Sequence, residues 1–158
     1  VVFTRAANVF GPGQQLYRIV PRVVMSALIA EPMSLHGGGL SERSFIDIRD
    51  TVLATAEVMF KGRPGETYHI STNEKISIKN LVYKVFNMME IEPTTLINIT
   101  EERLGKDQAY LLLSDKIRND FAWKESYTLD QTIVETIEWA KENIKILKTL
   151  PLNYIHKT

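Results

Sequence analysis

The sequence predicts mixed α and β structure in one domain or lobe, and three observations carry the prediction. Short runs of β-formers, such as Thr67 to Ile70, alternate with stretches whose apolar residues recur at helical spacing. Glycine and proline punctuate the boundaries, as at Gly11-Pro12-Gly13 and Pro64-Gly65. A length of 158 residues, 44% hydrophobic and 24% charged, suits one compact unit with a core rather than a disordered tail.

The opening Val1, Val2 and Phe3 form a continuous apolar run, which reads as a strand buried on both faces of a parallel sheet. Parallel neighbours come from βαβ units of about 30 residues or more, and too few such units follow. Residues 1 to 158 are therefore expected to be the C-terminal part of a longer chain. An ordinary first strand of a small α+β domain is the other reading. After the glycine loop, Pro21 suits a first helical turn, Val23, Val24, Ala27 and Leu28 carry the helix to about Glu31, and Pro32 stops it. Leu35 and His36 predict a short strand, Gly37-Gly38-Gly39 a hairpin turn, and Ser44 to Ile48 another strand. Asp50 is the expected cap of a helix with Val52, Leu53, Ala56 and Met59 as its apolar stripe, ending at Gly62.

Beyond the strand at Thr67 to Ile70, Ser77 is a good N-cap for a helix whose core face is Leu81, Val82, Val85, Phe86 and Met89. Leu96 to Ile99 predicts a strand, and Ser114 or Asp115 opens a short helix ending near Phe121. Thr128 followed by Gln131 is a capping box for the last helix, with Ile133, Ile137, Ala140, Ile144 and Leu147 on its buried side.

Lys plus Arg and Asp plus Glu are each 19, a net charge of +0, so no long-range field gathers nucleic acid or an anionic membrane. Any bound anion must be held by local positive groups. Zero cysteines exclude disulfides and a Cys nucleophile. No apolar run reaches the roughly 20 residues of a spanning helix, and no basic-then-apolar signal opens the chain. The expectation is a soluble, cytoplasmic protein. His36, His69 and His156 have no helical i, i+4 pairing, so no metal site is expected, and no nucleophile-elbow glycines surround Ser26, Ser41 or Ser71. Neither glycine cluster matches a dinucleotide or Walker loop. Arg43, in Arg43-Ser44-Phe45-Ile46-Asp47, puts a planar five-donor fork at a strand entrance beside a glycine turn, suited to a phosphate or carboxylate. An intramolecular pairing with Asp47 or Asp50 is equally open.

Taken together, Arg5-Ala6-Ala7-Asn8-Val9-Phe10-Gly11-Pro12-Gly13-Gln14, His36-Gly37-Gly38-Gly39 with Arg43-Ser44-Phe45-Ile46, and Gly65-Glu66-Thr67-Tyr68-His69-Ile70-Ser71 resemble the extended short-chain dehydrogenase/reductase superfamily. The closest flavour is the nucleotide-sugar 4,6-dehydratases of the dTDP-glucose type, with support from Glu102 to Tyr110 and from Trp123 and Trp139. The resemblance implies an α/β fold, the last strands of a Rossmann-type parallel sheet plus a small α+β substrate-binding lobe. It also implies NAD, bound mainly by an N-terminal half, and a Tyr-x-x-x-Lys pair. None of the six tyrosines here is followed four residues later by lysine, so the catalytic residues are unassigned.

Position by position, the resemblance implies that Asn8 meets the diphosphate and sugar, and that Arg18, Ile19, Val20 and Pro21 pack on base and ribose. Ser34, Leu35, His36 and Gly37 lie beside the base, Arg43 and Arg103 hold the diphosphate, Ser77 contacts the ribose, and Lys106 belongs to the same site. Lys106 stands where His is common, Gln108 where Arg is common and His36 where Tyr is common. The implied partner is a nucleotide-diphosphate sugar, with a homodimer expected of the intact protein. The rivals are an epimerase or decarboxylase of the same superfamily, and a non-catalytic nucleotide- or protein-binding module.

Overall fold

The computed structural model describes residues 1–102, 105 and 107–154. They form two compact units, and the chain passes between them several times. The first unit holds residues 1–10, 41–76 and 107–132, the second 11–40, 77–106 and 133–158. These passages fall in the Gly11 loop, at Leu40, inside β7 (Ile76–Ser77), before Asp107 and inside the last helix. No linker composition marks them, which is why the sequence reads as one domain or lobe.

In the first unit β1 (Phe3–Ala6) pairs in parallel with β6 (Thr67–Ile70), and β2 (Asn8–Phe10) in parallel with β5 (Phe45–Asp47). The two-residue β4 (Glu42–Arg43) pairs in parallel with β9 (Ala109–Tyr110). Strands this short carry no alternation, so β4, β7 and β9 have no counterpart in the sequence reading. The parallel pairing of the opening strand agrees with expectation, but burial on both faces does not. Among the described residues only β6 hydrogen-bonds to β1, and Phe3 is left exposed.

The core of this unit is Ile46, Ala54, Val58, Tyr68, Ile70, Ile117 and Trp123. Two helices serve it, α2 (Ile48–Lys61) and α4 (Asp115–Phe121). The cap of α2 is Asp47, whose Oδ1 accepts from Arg49 N at 2.7 Å, and not Asp50. Asp50 sits in the first turn, where its carboxylate accepts the backbone N–H groups of Ser126 at 2.9 Å and Tyr127 at 3.1 Å. That anchor sets the rotation of the helix: Asp50, Ala54 and Val58, four apart, turn inward. The expected stripe therefore ends outside, with Val52 56%, Leu53 58% and Met59 65% exposed. Ile48 is consequently helical, and the strand before it stops at Asp47. Asp47 itself is buried. Besides capping α2, it accepts from Arg49 Nε at 2.9 Å, Arg49 Nη2 at 2.7 Å and the Thr132 hydroxyl at 2.8 Å. The Arg49 guanidinium lies 3.5 Å from the ring centre of Tyr127.

The second unit is built on α1 (Ile19–Ile29), which packs against α3 (Ile78–Met88) through buried Val20, Val23, Val24, Leu81, Val82, Val85 and Phe86. Ser77 caps α3 as expected, its hydroxyl accepting from Asn80 N at 3.1 Å. β3 (Met33–His36) pairs in parallel with β8 (Ile97–Thr100), one residue later than the predicted strand. β3 and β4 are not paired with each other, so Gly37–Gly39 is a glycine turn in left-handed backbone and not a hairpin. Its three glycines all have positive φ, 57°, 64° and 69°. At Gly39 a Cβ would also stand 2.8 Å from Lys79 N, so only glycine fits without movement. The last helix, α5 (Leu129–Leu147), begins in the first unit and runs on into the second. Its capping box forms as predicted: Thr128 N donates to Gln131 Oε1 at 2.9 Å, and Gln131 N to Thr128 Oγ1 at 3.2 Å. No helix of the described residues is long and apolar enough to cross a membrane.

Candidate functional site

A cleft of about 620 Å³ opens in the second unit. Its lining comes from four short stretches. The entry to α1 contributes Tyr17, Ile19 and Arg22, β3 contributes Met33 to His36, α3 contributes Ile78, and the segment after α5 contributes Leu152, Asn153 and Tyr154.

Local chemistry explains the lining. Arg18, the N-cap residue of α1, is exposed and lies 5.3 Å from the Tyr17 ring centre. Val20 and Pro21 belong to the buried face of α1, so of the segment 18–21 only Ile19 reaches the cleft. In β3, Met33 and Leu35 are buried, Ser34 is exposed and His36 is half-buried. His36 and Thr100 are partners in the β3 and β8 register, and the Thr100 hydroxyl sits 2.9 Å from His36 Nδ1, holding the imidazole in orientation. At the far end Tyr17 and Tyr154 meet edge to face, with centroids 5.1 Å apart and planes at 71°. The Arg22 guanidinium makes no hydrogen bond or ion pair among the described residues.

The structure thus brings Ile19, Ser34, Leu35 and His36 into one cleft. Gly37 and Ser77 lie in the same unit but outside the lining; Gly37 has the Glu102 side chain where a Cβ would stand. Asn8 and Arg43 belong to the first unit. Asn8 pairs with Phe45 in the β2 and β5 ladder, and its Nδ2 donates to Ser44 O at 2.9 Å. Arg43 donates from Nη1 to Glu42 O at 2.7 Å and from Nη2 to Asp107 O at 2.8 Å. Neither Asp47 nor Asp50 is its partner, because both carboxylates are already engaged by other donors. Arg103 and Lys106 lie outside the described residues. Sequence reasoning missed Tyr17 and Arg22, which flank the segment it singled out, and the Leu152 to Tyr154 segment. Pro151, which halts any continuation of α5, was the available signal for the last of these.

A cation, three aromatic rings, branched apolar side chains and a cleft of this size suit a flat heterocycle carrying polar or anionic substituents. The described residues do not make a dinucleotide cradle. Gly11 and Gly13 lead into turns, with α1 starting only at Ile19, and Gly37–Gly39 lead into β4.

The fold and cleft define a chain with parallel α/β pairs of Rossmann type and a nucleotide-sized recess. Residues 1–71 match the model of the NAD dependent epimerase/dehydratase family. The dTDP-D-glucose 4,6-dehydratase of Mus musculus is 31% identical over 148 residues, covering 90% of this chain and 41% of that enzyme. The crystal structure of dTDP-glucose 4,6-dehydratase from Bacillus anthracis in complex with NAD is 30% identical with a TM-score of 0.87, covering 94% of this chain and 47% of that one. The UDP-glucuronic acid 4-epimerase of Bacillus cereus, in complex with UDP-glucuronic acid and NAD, shares the fold at 19% identity and a TM-score of 0.81. Over residues 1–71 the chain is similar to the NAD dependent epimerase/dehydratase family, and over most of its length to the dTDP-glucose 4,6-dehydratases. It spans less than half the length of these relatives.

Proposed function

We propose that these 158 residues are the nucleotide-sugar-binding C-terminal part of an NAD-dependent nucleotide-sugar 4,6-dehydratase of the dTDP-glucose type. The observation that carries the reading is the convergence of Ile19, Ser34, Leu35 and His36 on one cleft of nucleoside size. The resemblance assigns those four residues to the base and ribose from separate motifs. In this reading the cleft takes the nucleoside, Ser77 belongs to the ribose, and the resemblance assigns Asn8, Arg43 and Arg103 to the diphosphate. NAD is held mainly by a preceding half of the protein and supplies the oxidation and reduction at C4 of the sugar. This chain's own residues bind and orient the substrate, a contribution worth several kcal/mol when orientation is good.

The test is a thermal-shift and calorimetric panel of nucleoside diphosphates against the chain. A ligand at 100 times its dissociation constant adds about 2.7 kcal/mol, so thymidine or uridine diphosphate is expected to raise Tm by roughly 5–10 °C. Absence of binding by every nucleoside diphosphate at millimolar concentration would reject the reading.

A further inference from the structure

We propose that the segment after α5, residues 152–154, is a wall of the nucleoside site, and that Tyr154 is a specificity-determining residue that stacks on the base. The inference rests on the reading of the cleft as a nucleoside site and adds to it a recognition element from the far end of the chain.

The chain leaves α5 in a fixed way. Lys148 N donates to Ile144 O at 3.1 Å, Thr149 N to Ile146 O at 2.9 Å and Leu150 N to Leu147 O at 3.0 Å, tightening the last turn before Pro151 ends it. The next three residues line the cleft together with the entry of α1 and β3. Tyr154 is held there by the edge-to-face contact with Tyr17. An edge-to-face pair uses the face of only one ring and the edge of the other, and Tyr154 remains 57% exposed while lining the recess. An aromatic ring braced by a second ring, beside a cleft that also presents the Arg22 guanidinium, offers what a heterocycle with carbonyl groups requires. It offers a stacking surface and a planar donor. Tyrosine suits the role because it has few rotatable bonds to immobilise on binding.

The experiment is calorimetric titration of thymidine diphosphate into the wild-type chain, Tyr154→Phe and Tyr154→Ala, with the melting temperature of each free protein. Tyr154→Phe keeps the ring and is expected to bind within about twofold of wild type. Tyr154→Ala is expected to bind at least tenfold more weakly while its free Tm stays within about 1 °C, since an exposed ring contributes little to folding. Wild-type affinity in Tyr154→Ala would overturn the proposal and leave the nucleoside reading intact. Weakened binding accompanied by a Tm loss of several degrees would also overturn it, because the residue would then act through the fold. If wild type binds no nucleoside diphosphate, the nucleoside reading and this inference fail together.

Discussion

Asp47 is buried at the junction of β5 and α2, and burial alone would raise its pKa. The hydrogen bonds from Arg49 and Thr132 outweigh that, and the carboxyl sits below the usual carboxylate value. A group depressed in the folded chain and ordinary, at about 4, in the unfolded chain stabilises the fold above that ordinary value. The contribution is lost as pH falls toward the depressed one. Thermal melts between pH 7 and pH 3 are therefore expected to decline steeply below about pH 4–5 for wild type and less steeply for Asp47→Asn, whose amide has no proton to take up. Asp47→Ala is expected to cost roughly 2–4 kcal/mol at pH 7, combining the lost cap with an orphaned Thr132 hydroxyl. Arg43 is the contrasting case, since its two observed bonds go to backbone carbonyls and spend only part of its five-donor fork. Arg43→Ala is expected to weaken nucleoside diphosphate binding by about 1.5–3 kcal/mol, with Arg43→Lys recovering part of it. Normal binding with an early melt would instead make Arg43 a strut between β4 and β9.

At the scale of elements, one side chain decides which face of α2 is buried. Asp50 holds the backbone of residues 126–127, so Asp50→Ala is expected to cost about 1–3 kcal/mol and to accelerate hydrogen exchange at the Ser126 and Tyr127 amides. Unchanged exchange there would remove the anchoring role. The same feature explains where the sequence was and was not readable. Helices whose ends are written in local capping chemistry, Ser77 before α3 and the Thr128 and Gln131 box before α5, were legible to the residue. The buried face of α2 was not, because its rotation is fixed by a partner 76 residues away in the chain. Two-residue strands such as β4 and β9 exist only through pairing, so no local pattern announces them. In the cleft, positions inside a recognisable motif, Ser34 to His36, were found. Tyr17, Arg22 and Tyr154 were missed because each becomes part of a recess only after α1, β3 and the segment after α5 are assembled.

For the whole molecule, the chain on its own is expected to give no detectable 4-keto sugar from any nucleotide sugar, since none of its tyrosines has the lysine of the Tyr-x-x-x-Lys pair. Product formation above a no-enzyme blank would refute the division of labour proposed. Binding should nonetheless discriminate between bases, and the cleft indicates which. Its polar lining consists of the hydroxyls of Tyr17, Ser34 and Tyr154, the His36 imidazole already tethered to Thr100, the guanidinium of Arg22 and the amide of Asn153. Donors and acceptors left unpaired on a buried base reduce affinity more sharply than a poor apolar fit does. Guanine brings a second ring and an amino group as well as a carbonyl, so it has the most to leave unsatisfied. Thymine and uracil present two carbonyls and one N–H, which a guanidinium and a few hydroxyl or amide groups can meet. Competition titrations are therefore expected to rank thymidine and uridine diphosphates at least tenfold tighter than guanosine diphosphate, and a tenfold preference in the opposite direction would sink the pyrimidine assignment.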